Sequence, residues 1–151
     1  TPIDPLWKPM GEQWNQVMPT KEDFALLVNT CYHSELVVNI CSSMVFDFVI
    51  HDKPTIYPNY EQPQLQKGTR DIGQNYNYVH FRSMPDYDKS VTWAMRKEEI
   101  YDGIKGLLDG ELDPVPVTKE WYGVVNKPES PEKASERIWE SLQSIINYSN
   151  G

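Results

Sequence analysis

"VVNICSSMVFDF", residues 37–48, is the stretch on which the fold turns. An apolar run, Val37-Val38-Asn39-Ile40, passes through Cys41 into a small polar pair, Ser42-Ser43. An apolar segment carrying one acid, Asp47, follows. Adjacent valines predict a strand over 36–40, covered on both faces. Two serines at its end predict a turn into a short helix over 43–51. "PTIY", 54–57, predicts a second buried strand. Upstream, "PTKEDFALLVNTCYH" predicts a helix with Thr20 as N-cap and Asp23 three residues on, a capping-box arrangement. Phe24, Leu27, Val28 and Cys31 recur at i, i+3, i+4 and i+7, which predicts one buried face. Helix, strand, helix, strand in so short a span indicates α/β with a parallel sheet.

The outer segments are less regular. Residues 1–19 hold four prolines and two tryptophans and predict an extended connector. Residues 58–90 predict a long polar and aromatic loop, with 58–77 its most mobile part. "SVTWA", 90–94, is a third strand, and "KEEIYDGIKGLLDG", 97–110, a helix. Its apolar face is Ile100, Ile104, Leu107 and Leu108, its polar face Glu98, Glu99 and Asp102, and Gly110 its cap. Residues 111–129 read as a Pro-rich connector. A last helix starts at Ser130-Pro131, with Ala134, Ile138, Leu142 and Ile145 as its buried stripe.

The bulk numbers bound the function. The chain has 151 residues, the size of a single domain, and is 39% hydrophobic. Fourteen basic residues against twenty-two acidic ones leave a net charge of −8, which argues against a nucleic-acid partner. No apolar run is long enough to cross a bilayer, and the first residues do not read as a signal peptide. Cys31 and Cys41 are too few for a disulfide framework and lack metal-ligand spacing. Both are expected to be reduced and buried, with a cytoplasmic location and no metal.

Chemistry concentrates at the opening stretch. In open α/β sheets, ligands sit at the carboxyl ends of strands. There Ser42, Ser43 and the N–H of Met44 would suit a diphosphate, since backbone donors and a helix dipole favour negative charge. Asp47 falls one turn further along the same side, where a carboxylate suits a ribose diol. Serine is also a common N-cap, and an acid near a helix start is stabilising without a ligand. His33, at the end of the first helix, reads equally as a partner of the helix dipole or as a residue lining this site. His80, in "YVHF", is a further candidate to line it, with a packed or surface histidine as the favoured reading. Asn39 is expected to brace the Ser42 turn, and Lys53 to point to solvent.

"SSMVFDFVIHDKPTI" resembles the donor-binding signature of GT-B glycosyltransferases: a small-residue turn, an acid, a turn residue, then x-Pro and a β-branched strand. Over residues 19–57 the chain is similar to bacterial surface-polysaccharide glycosyltransferases and their glycerophosphotransferase-like relatives. The acid is Asp47 where that signature more often has Glu. Asp52 stands at its usual glycine, so an aspartate must make a left-handed turn. The resemblance implies a Rossmann-like α/β domain spanning 1–151. It would be the C-terminal, donor-binding half of a longer enzyme, with one sheet edge left uncovered. It implies a nucleotide sugar, UDP-linked, as substrate, with no cofactor. The partners would be an N-terminal GT-B domain and a glycan or lipid-linked acceptor, with scope for peripheral membrane association. Catalytic residues would lie in the other half. A nucleotide-sugar 2-epimerase or polyol-phosphate transferase half shares these features, and a non-catalytic α/β interaction module stands as the alternative of a different class.

Overall fold

The computed structural model describes residues 3–13, 15–61, 72–127 and 133–149. Chain order begins with two short strands, β1 (Lys8–Pro9) and β2 (Val17–Met18), paired antiparallel with each other. Helix α1 (Lys21–His33) follows, then β3 (Val37–Val38), α2 (Met44–Val49) and β4 (Thr55–Pro58). Two single-turn helices, α3 (Ile72–Asn75) and α4 (Val79–Arg82), lead to β5 (Thr92–Ala94). Three longer helices close the chain: α5 (Glu99–Leu108), α6 (Val115–Asn126) and α7 (Ala134–Ser149). The protein is α/β, with a parallel three-stranded sheet ordered β3-β4-β5 and flanked by helices.

The register assigns the two faces. Val38, Ile56 and Thr92 lie side by side on one face. Helix α5 covers the last two there: a Cβ on Gly103 would come within 3.3 Å of both Ile56 and Thr92, and so close an approach is what a glycine permits. The opposite face carries Thr55, Tyr57 and Trp93 under α2 and α6, and α1 packs against α2. The core lies on this second face, where Val45, Phe46, Tyr57, Ile72, Tyr76, Phe81, Val91 and Trp121 form one cluster.

Several expectations hold. Thr20 and Asp23 form the capping box, and the Asp23 carboxylate also accepts from Leu6 N at 2.5 Å, which ties the N-terminal segment to α1. Burial works to raise the Asp23 carboxyl, but these bonds from Thr20 and Leu6 outweigh it and hold it below the usual range. Asp52 makes the left-handed turn (φ 61°), and its carboxylate pairs with Lys119. Gly110 ends α5 at φ 73°, and the two cysteines are free thiols.

Other expectations are corrected. Strand β3 is not covered on both faces: Val38 is 39% and Ile40 49% exposed, because β3 is an edge strand and α5 reaches only β4 and β5. On α1, Cys31 is buried, but Phe24 and Val28 are more than half exposed, and Phe24 lines an open cavity. Cys41 is only half-buried. Leu108 is exposed on α5, and Glu99 is not a plain solvated side chain: it accepts from Met95 N at 2.7 Å and pairs with Arg96. Lys53 bonds Glu35 at 3.2 Å rather than standing free in solvent.

The Pro-rich stretch 111–129 contains α6. Pro114 sits at its N-cap and a second proline in its first turn, where a missing N–H costs nothing. The helix then buries Thr118 and Trp121. The stripe on α7, expected to be buried, is exposed. Ser130-Pro131, the expected start of that helix, and residues 62–71 of the long loop lie outside the described residues.

Trp121 tests whether α6 belongs to the core. Its indole is fully buried against Phe46 and Phe81 and donates to His80 O at 2.8 Å. Trp121→Ala should lower unfolding free energy by about 3–5 kcal/mol in urea melts. A loss below about 1 kcal/mol would place the indole outside the core.

Candidate functional site

The turn between β3 and α2 is strained and is held by two contacts. Cys41 adopts φ 50°, a left-handed conformation rare for a side-chain-bearing residue. Its Sγ lies 3.9 Å from Ile72 O. Tyr57, fully buried on the neighbouring strand, donates its hydroxyl to Ser42 O at 2.6 Å. Burial drives the Tyr57 phenol far above its ordinary pKa, so it stays protonated and serves as a donor at every working pH.

This geometry separates the two serines. Ser42 Oγ accepts from Met44 N at 3.2 Å, so the hydroxyl and the N–H are engaged with each other. Ser43 is the N-cap of α2 by position, but its hydroxyl makes no capping bond and is exposed. Of the expected diphosphate ligands, Ser43 is therefore immediately available. Ser42 Oγ and Met44 N must exchange a partner to take part.

Asp47 sits one turn into α2, half-buried on the side facing α1, with buried Cys31 nearby. It has no hydrogen-bond or ion-pair partner among the described residues, and burial raises its carboxyl above the usual range. Cys31 is pushed up by burial, and further by Asp47, and Cys41 is pushed up by burial; neither is an activated thiolate.

His33 is not brought to this turn. It ends α1, stacked edge-on against Tyr32, and Tyr32 in turn meets His51 beyond the far end of α2. Eight residues of helical rise, about 12 Å, separate His51 from Ser43. His80 rests on Tyr78 and Phe81, and its carbonyl accepts from Trp121, so it belongs to the packing around the core rather than to the turn. Asn39 does not brace the Ser42 turn: both of its amide atoms are buried without a hydrogen-bond partner among the described residues.

Beside the turn lies a mostly apolar cavity of about 510 Å³. Trp7, Pro19, Phe24, Leu27 and Met44 are among its walls, so it opens between the N-terminal segment, α1 and the first residue of α2. The sequence hides it because Phe24 and Leu27 read as a face buried against the core, whereas here they line a cavity with the N-terminal segment and Met44. Tyr57 was equally hidden, although a tyrosine inside a buried strand implies a partner for its hydroxyl. Among the described residues, no three His, Cys, Asp or Glu side chains are grouped so as to hold a metal ion. The chain matches no protein-family model, no curated protein and no solved structure.

Two substitutions probe this arrangement. Tyr57→Phe keeps the ring and removes the bond to Ser42, so amide exchange at Met44 and Val45 should quicken and stability fall by about 1 kcal/mol. Unchanged exchange would show that the bond does not hold the turn. For Asp47 the folded carboxyl titrates above the unfolded one, so the folded state keeps an extra proton between the two values. Its contribution is present below the ordinary carboxylate pKa and is lost as pH rises through the raised value. Asp47→Asn should therefore melt higher than wild type at neutral pH, and the two should converge in acid. A lower melting point at neutral pH would mark the acid as a stabilising helix-dipole partner.

Proposed function

We propose that this chain is the donor-binding half of a GT-B glycosyltransferase, holding a UDP-sugar for transfer to a glycan or lipid-linked acceptor. The observation that carries the reading is Asp47: a half-buried carboxylate with a raised pKa and no hydrogen-bond or ion-pair partner among the described residues, one turn beyond an exposed serine. A group whose burial opposes its charge gains from a ligand that donates hydrogen bonds to it. A ribose diol does this.

The parts fit one ligand. Ser43 Oγ meets the diphosphate at the start of α2, joined by Met44 N–H when it leaves Ser42 Oγ. Asp47 accepts from the ribose hydroxyls. The base enters the apolar cavity bordered by Met44 and Phe24. The leaving diphosphate is stabilised by preorganised donors, which keep their geometry because the turn is tied to the core through Tyr57. The catalytic base belongs to an N-terminal GT-B domain, so residues 1–151 alone bind donor without turning it over. In this reading the protein works in the cytoplasm, where nucleotide sugars are made.

A second reading, a non-catalytic α/β interaction module, is favoured by the exposed apolar faces of α1 and α7. Calorimetric titration with UDP separates the two. The donor reading expects binding by wild type, a ten- to hundredfold loss in Asp47→Asn, about 1.5–3 kcal/mol, and a smaller loss in Ser43→Ala. The Asp47→Asn loss should come with a raised melting point, opposite to what a damaged fold would give. No UDP binding by wild type, or equal binding by Asp47→Asn, overturns the ribose assignment.

A further inference from the structure

Helix α7 is a 16-residue amphipathic helix with its apolar side in solvent. Ile138, Trp139, Leu142, Ile145 and Ile146 are 47 to 63% exposed. At 100° per residue these five fall within about 120° of one another, and Glu136, Glu140, Gln143 and Asn147 occupy the other side. No other described element packs extensively against it.

Like any regular apolar helix face, the stripe is symmetric in spacing about its central residue. Taking Leu142 as centre, the other members lie at −4, −3, +3 and +4. A two-fold interface requires one patch to complement itself, residue i meeting j while j meets i. An antiparallel pair of α7 helices satisfies this. Leu142 meets Leu142 of the second copy on the axis, Ile138 meets Ile146, and Trp139 meets Ile145. The exposed parts of these side chains on two helices amount to on the order of 1,000–1,200 Å², at the lower limit of a specific interface. The arrangement also opposes the two helix dipoles. It sets the domains, each joined at the N-terminal end of its α7, at opposite ends of a pair about 24 Å long. A parallel pair would crowd both domains at one end.

We propose that α7 is a self-association element, through which two copies of this chain pair antiparallel about Leu142. Sedimentation equilibrium on the full chain tests it. Wild type should dimerise with a dissociation constant of about 1–50 µM, as an interface of this size allows. Leu142→Glu places two carboxylates on the axis and should weaken association at least about a hundredfold, with melting matched to wild type at concentrations well below the wild-type dissociation constant, where both are monomers. Leu142→Cys should form a disulfide-linked dimer on mild oxidation at the wild-type dimer concentration. Ile138→Cys should not do so alone, but should cross-link when mixed with Ile146→Cys, with wild type as the control for the native thiols. A wild-type monomer at about 200 µM, a dimer that survives Leu142→Glu, or self-cross-linking of Ile138→Cys as efficient as that of Leu142→Cys would each overturn the proposal.

Discussion

The hydrogen bond from Tyr57 to the Ser42 carbonyl joins the two halves of this molecule's logic. Tyr57 stands on the one strand buried at every position and touches the rings of Tyr76, Phe81 and Trp93. Its ring is therefore fixed by packing, and its hydroxyl carries that rigidity to a turn outside the core. A left-handed Cys41 is tolerable only where the surroundings over-determine it, and this bond is part of what does so. The exposed serine after the turn is thus displayed from a backbone whose strain is held by the core.

The same device recurs through the irregular region. Tyr76 donates to Pro58 O, Trp121 to His80 O, Trp93 to Tyr87 O and Thr118 to Ser90 O. Segments without a strand or long helix still have backbone carbonyls to satisfy. Here the polar tips of large side chains reach out of the core to meet them, so residues 72–90 are held in place with only two single-turn helices.

What the sequence made legible was local chemistry. The capping box of Thr20 and Asp23, the order β3-α2-β4, the left-handed Asp52 and the cap at Gly110 each depend on a few neighbouring residues, and each is found. What escaped depends on long-range placement. Nothing in Phe24 or Val28 reveals that both stay largely exposed while Cys31, on the same stripe, is buried. Helix α6 was hidden because prolines usually break helices, and only position within the first turn makes them harmless. For the candidate site, the serines and Asp47 were legible as a pattern. Their inequality was not, since it depends on which donor Ser42 Oγ takes. His33 looked close to the site in sequence, but a helix running back along the strands carries its end to the opposite side.

The two faces of the sheet are held unequally. One is filled by interlocking aromatic rings, while the other meets α5 closely through a glycine that lets the helix sit down on Ile56 and Thr92 without interdigitating. Ile100, Ile104 and Leu107 on the same helix are partly buried beside that close approach. The seam is thus set by a missing methyl: Gly103→Ala would press its Cβ onto Ile56 and Thr92 and force α5 or those side chains to give.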